Sequence, residues 1–131
     1  MRVMRLAGFF LCLSMIAACV ATTQSSNSTS CTPGQLCFCV TSEPCSLACP
    51  GSGCEFVCQG SGPCSFSCPA GGCTVRGDSS GSASLSCPGN GCSMQCDGSG
   101  ACGLEECTKD CSCSESGSGS CSNDCTDPTC S

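Results

Sequence analysis

Cys45 to Pro63 reads CSLACPGSGCEFVCQGSGP, Cys64 to Ser82 reads CSFSCPAGGCTVRGDSSGS, and Ala83 to Ala101 reads ASLSCPGNGCSMQCDGSGA. The three nineteen-residue stretches superimpose nearly residue for residue, with cysteine on most beats. A repeat this short cannot bury its own apolar residues, so neighbouring copies must stack and share one narrow core. Each half-repeat has the form Cys-x-apolar-x-Cys followed by a Gly-rich turn. In an extended strand the first, third and fifth residues share a face. Cys45, Leu47 and Cys49 therefore point inward together, as do Cys54, Phe56 and Cys58, then Cys64, Phe66 and Cys68, and later Cys92, Met94 and Cys96. Ser46, Ala48, Glu55, Ser65, Ser67, Ser84, Ser86, Ser93 and Gln95 point outward.

This geometry selects the disulfide partners. Two cysteines four apart on one strand lie about 13 Å apart, beyond the roughly 7 Å that a disulfide spans. Cys45 is thus excluded as a partner of Cys49, and the partners lie across the turns. The expected pairs are Cys31 with Cys37, Cys39 with Cys45, Cys49 with Cys54, Cys58 with Cys64, Cys68 with Cys73, Cys87 with Cys92, and Cys96 with Cys102. In the tail the spacing selects Cys125 with Cys130 and assigns no partner to Cys107, Cys111, Cys113 or Cys121. Gly77 and Ala83 stand where a Cys58–Cys64-type pair would be, so one bridge has been lost as a unit.

The turns alternate between four residues, as in Pro50 to Gly53, and five, as in Gln59 to Pro63. The expected fold is all-β and disulfide-rich, a short-coil β-solenoid with two strands per coil. An antiparallel β-meander or an irregular small disulfide-rich fold are the alternatives. A solenoid covers the sulfur-bearing face from both sides, whereas a meander leaves it open to water. Beyond Cys102 the register is expected to slip, because Glu106 takes a cysteine beat and Cys107 follows it. The chain then divides into a signal segment 1–18, a Ser/Thr linker 19–30, a repeat body 31–106 and an acidic Cys-rich cap or tail 107–131.

The inward apolar residues are few: Leu47, Phe56, Phe66, Val75, Leu85, Met94 and Leu104. A short-loop disulfide contributes about 2 kcal/mol on the chain-entropy model, so bridges take over much of the work of a core. Complete reduction is expected to unfold the body, read as loss of strand circular dichroism.

With 22 Cys and 17 Gly in 131 residues and no Trp, Tyr or His, the composition is that of a disulfide framework in an exported chain. Two arginines within Met1 to Arg5 precede the apolar run Leu6 to Ala18, an export signal too short to span a membrane. At its end Ile16, Ala17, Ala18 and Cys19 resemble the lipobox of bacterial lipoproteins, with Ile16 where Leu is usual. The resemblance implies that Cys19 becomes the acylated mature N-terminus. The alternative is an ordinary cut near Ala18 or Ala21. Residues 21–30, ATTQSSNSTS, form a polar tether able to reach roughly 30 Å. Cys12 leaves with the signal and Cys19 is lipidated or cut away, so the 22 cysteines fall to an even 20 that can all pair. The whole resembles a bacterial lipoprotein with a Cys/Gly-rich short-repeat body.

Several chemistries are excluded or weakened. Without His or Tyr, a Ser or Cys nucleophile lacks its usual base, so no enzymatic activity and no catalytic residue are expected. Glu105 and Glu106 are adjacent carboxylates on an acidic segment, read as solvated. Thiolate metal binding, through Cys37 with Cys39 or Cys111 with Cys113, looks superficially like metallothionein and is the second alternative. The strand-and-turn beat and the export signal oppose it, and no metal or other cofactor is expected. Glu105, Glu106, Asp110, Glu115, Asp124 and Asp127 make the tail acidic, without a D-x-D-x-D-G loop to organise Ca²⁺. Loss of Arg2 and Arg5 with the signal takes the formal net charge from −6 to −8, which repels nucleic acid; no DNA or RNA partner is expected. Arg76, Gly77, Asp78 and Ser79 spell RGDS, which resembles integrin-binding loops, although such tripeptides arise readily in a Gly/Ser-rich chain. Asn27, Ser28 and Thr29 form a glycosylation acceptor, relevant only to a eukaryotic source.

The reading that remains is a lipid-anchored, disulfide-stapled protein of the bacterial cell envelope, at the outer membrane, with a structural or interaction role. Its partners would be the membrane, through the N-terminal lipid, and an envelope or surface protein. The alternative is a small secreted Cys-rich binding or toxin-like module.

Overall fold

The computed structural model describes residues 29–131. The expected export signal 1–18, with Cys12, and the expected lipid site Cys19 and glycosylation acceptor Asn27 lie outside the described residues. The described chain is all-β, a parallel β-solenoid of about five coils. One sheet, the odd sheet, stacks β1 (Thr29–Ser30), β3 (Cys45–Ala48), β5 (Cys64–Ser67), β7 (Ala83–Ser86), β9 (Cys102–Glu105) and β11 (Cys121–Asn123). The even sheet stacks β2 (Leu36–Thr41), β4 (Glu55–Gly60), β6 (Thr74–Gly77), β8 (Ser93–Cys96) and β10 (Ser112–Glu115). Every pairing is parallel, which rules out the meander.

The inner faces of the two sheets meet in a core one residue deep per strand. Cys37, Phe56, Val75, Met94 and Cys113 form one inward row, and Leu47, Phe66, Leu85, Leu104 and Asn123 form the other. Phe56 and Phe66 stack within one coil, their ring centroids 4.7 Å apart. The next two coils place Val75 with Leu85 and Met94 with Leu104 in the same positions, all buried.

Close stacking also explains the glycines of the turns. Gly34, Gly53, Gly72 and Gly91, nineteen residues apart, all adopt positive φ between 68° and 78°, a conformation that an L side chain resists. Gly62, Gly81, Gly100 and Gly119 form a second ladder in which an added Cβ would collide with the carbonyl of the coil before it.

The register does not slip beyond Cys102. Ser112 pairs with Ser93 and Cys121 with Cys102, both nineteen residues on, so segment 107–131 continues the ladder as its last coil. The irregularity is local: Cys107 stands one residue late, and Glu106, at the position of Cys49, Cys68 and Cys87 in the preceding coils, takes a left-handed φ of 59°. The chain end then folds along the edge of β10. Ser131 N–H donates to the Cys111 carbonyl at 3.0 Å, and Cys113 N–H donates to the Ser131 carbonyl at 2.8 Å. That covers the backbone edge which an open sheet would leave exposed.

Candidate functional site

All twenty cysteines from Cys31 to Cys130 are bonded, in ten bridges whose Cα atoms are 5.7 to 6.4 Å apart. The structure joins Cys31 to Cys37, Cys39 to Cys45, Cys49 to Cys54, Cys58 to Cys64, Cys68 to Cys73, Cys87 to Cys92, Cys96 to Cys102 and Cys125 to Cys130. It adds Cys107 with Cys111 and Cys113 with Cys121, for which spacing assigned no partner. Most bridges close a corner between the two sheets. At the two ends the plan changes, because Cys37 and Cys113 occupy the central row that Phe56, Val75 and Met94 fill elsewhere. Their bridges, to Cys31 and Cys121, close the open ends of the core.

Two sulfur triads bring Sγ atoms within 4.8 Å of one another: Cys49, Cys54 and Cys73, and Cys111, Cys125 and Cys130. Each arises because neighbouring bridges stack, and every member is already half of a cystine. A metal would need these thiolates reduced first.

The coil that lacks a corner bridge fills the gap otherwise. Ser79 is buried in that turn, and its hydroxyl donates to the Gly81 carbonyl at 3.0 Å and lies 3.4 Å from Cys58 Sγ. Beside it, the RGDS residues form a clasp. Arg76 Nε donates to Asp78 Oδ1 at 2.8 Å and forms an ion pair with Asp97 Oδ2 at 2.9 Å. Gln95 Nε2 donates to Asp97 Oδ1 at 2.8 Å, and the Ser116 hydroxyl donates to the same oxygen. Bonding from Ser116, then Gln95, with the Arg76 charge behind them, holds the Asp97 carboxyl below its ordinary 3.8. The bond to Asp78 raises the Arg76 guanidinium above its ordinary value. Arg76 and Asp78 are turned toward each other, whereas an adhesive loop would present the two charges separately.

Three acidic residues of the last coils have local hydrogen-bond partners. Glu106 accepts from the Ser86 hydroxyl, Glu115 Oε2 from Cys121 N–H at 3.1 Å, and Asp127 Oδ1 from Thr129 N–H and Oγ1 at 2.9 and 2.7 Å. The two bonds from Thr129 lower the Asp127 carboxyl below its ordinary value.

The outer face of the odd sheet is a hydroxyl ladder, with Ser46, Ser65 and Ser84 in one row and Ser67 and Ser86 in the next. The even sheet differs at its first coil, where Leu36, Phe38 and Val40 face outward and stay exposed. None of the three falls within the repeat pattern that assigns inward and outward positions from Cys45 onward. The signal was present in Leu36-Cys37-Phe38-Cys39-Val40, since bonded cysteines at alternate positions force the apolar residues between them to the surface.

Among the described residues no helix is long and apolar enough to cross a membrane. Comparison with protein families, with curated proteins and with solved structures returns no match. The fold and its bridges define the class, a disulfide-stapled parallel β-solenoid. Its cystine density belongs to an oxidising, exported environment.

Proposed function

We infer that this chain is a lipid-anchored structural or interaction protein of the bacterial cell envelope, held at the outer membrane through Cys19. The observation that carries the reading is the complete pairing of Cys31 to Cys130, which leaves no thiol in the described body and fits an oxidising compartment. The N-terminal reading supplies the anchor: an export signal, the lipobox-like residues Ile16 to Cys19, and a polar tether before the first strand. A solenoid with hydroxyl ladders along one sheet and an acidic far end offers repeated polar surface, which supports a scaffold or interaction role.

Mass spectrometry of the mature N-terminal peptide tests the anchor. A diacylglyceryl thioether on Cys19 is expected, with Cys19→Ser releasing the protein from the membrane fraction. An unacylated N-terminus at Cys19 or at Thr22 would instead make this the secreted module. Thiol titration of the envelope-purified protein is expected to find no reactive cysteine before reduction.

A further inference from the structure

The outer surface carries one apolar stripe. Leu36, Phe38 and Val40 on β2 are 47%, 52% and 62% exposed, and Val57, next in the row of Phe38, is buried. Beyond Val57 the same row turns polar through Arg76, Gln95 and Ser114. The stripe lies at the end of the solenoid where residues 19–28 join the body, because β1 sits directly over β3 of the first coil. Charge runs the other way. Six of the ten carboxylates fall between Glu105 and Asp127 in the last coils, whereas the first coil carries Glu43 alone and has no cation.

We propose that the stripe Leu36, Phe38 and Val40 rests on the lipid surface to which Cys19 is tethered, with the first coil in the headgroup layer and the acidic coils in water. The proposal rests on the lipid-anchor reading of Cys19. A diacylglyceryl anchor keeps the tethered end at the bilayer, and exposed apolar side chains beside the tether gain free energy by leaving water for the lipid interface. With no cation among them, they suit a neutral lipid surface and need no anionic headgroup. A second copy of the chain fits less well. Three half-exposed side chains fall far short of the roughly 800 Å² per partner that a stable dimer buries. Edge-to-edge pairing through β2 would also bring the incoming coil against β1, which already occupies the level above β3.

The chain contains no Trp, so a single indole reports its own surroundings. Phe38→Trp and, as a far-end control in the same row, Ser114→Trp would be made in the full lipidated protein; both positions are exposed, so the fold is retained. Each would be bound to phosphatidylcholine vesicles with plain or brominated acyl chains. The expected result is a blue shift and quenching by about half or more at position 38, with position 114 unchanged. Protein that floats with the vesicles yet shows no quenching at position 38 overturns the contact and leaves the anchor standing. Protein that neither floats nor carries acyl mass on Cys19 overturns the anchor reading and the proposal with it. A blue shift at position 38 without lipid, accompanied by a dimer mass in light scattering, assigns the stripe to a second copy and overturns the proposal.

Discussion

Gly77 lies against the sulfur of Cys102: a Cβ built on Gly77 would stand 3.2 Å from Cys102 Sγ and 3.7 Å from the Cβ of Ala83. The third coil thus lacks a bridge, and the next coil's sulfur borders the space. Ala83 is buried against the same spot, and Ser79 occupies the turn between them.

The Cβ separation from Gly77 to Ala83 falls in the range that a cystine requires. Gly77→Cys with Ala83→Cys is therefore expected to form an eleventh bridge, once Cys102 Sγ yields by a few tenths of an ångström. Closing this short loop should add up to about 2 kcal/mol in urea unfolding. Peptide mapping after non-reducing digestion checks the new link. Gly77→Cys alone is expected to give scrambled species through the Cys96–Cys102 bridge, and a clean monomer with one free thiol would contradict that.

Much of this architecture was legible because strand geometry and disulfide reach are short-range constraints, both visible in a nineteen-residue period. Period-two alternation placed Phe56 and Phe66 inside, and the distance along a strand forced Cys49 toward Cys54 rather than Cys45. The last coil was less legible. Cys107 comes one residue late and Cys113 takes a core position, so the cysteine beat looks broken even though Cys92 to Cys111 and Cys102 to Cys121 keep the period. What accommodates the displaced cysteine is a left-handed backbone at Glu106, which a cysteine count does not register. The Arg76–Asp97 contact was hidden for another reason: it joins residues of adjacent coils on the outer face, and depends on a register that only the three-dimensional stack makes explicit.

The two glycine environments make opposite predictions. A Cβ at Gly81 would collide with the Gly62 carbonyl, and the nearest atoms there are backbone that cannot swing aside. Gly81→Ala should therefore force neighbouring coils apart and cost about 1 to 3 kcal/mol. At Gly103 the nearest atoms to a new Cβ are 3.9 Å away, an ordinary contact on a strand. Gly103→Ala should be neutral or stabilising by up to about 1 kcal/mol, because it restricts the unfolded chain. Urea midpoints of the two variants test the coil-stacking account, which fails if they shift alike.

Asp110 stands where the four preceding coils have glycine, and it adopts the same left-handed turn with a φ of 54°. Its side chain contributes little in return, since its contact with Lys109 Nζ is 3.9 Å long and exposed on both sides. The backbone N–H still reaches Thr129 Oγ1 at 3.0 Å, and a glycine would keep that bond. Asp110→Gly is expected to stabilise the last coil by about 1 kcal/mol. Hydrogen exchange at Ser112 and Cys113 should slow accordingly, and faster exchange there would refute the strain.

Asp97 receives the Ser116 hydroxyl, the Gln95 amide and the Arg76 guanidinium, and its carboxyl is held below 3.8. A carboxyl depressed in the folded state adds stability that is complete above its unfolded value and is lost as pH falls through its folded value. The clasp should therefore keep its full contribution down to about pH 5 and surrender it progressively in more acid solution. Carboxyl-carbon NMR titration should place the Asp97 midpoint below 3.8, and Ser116→Ala should move that midpoint upward by removing the largest of the three causes. Asp97→Asn should flatten the acid limb of the urea midpoint without altering the ten bridges, since Asp97 touches no sulfur. If Ser116→Ala leaves the midpoint where it was, the inter-coil hydroxyl bond is not what holds this carboxylate.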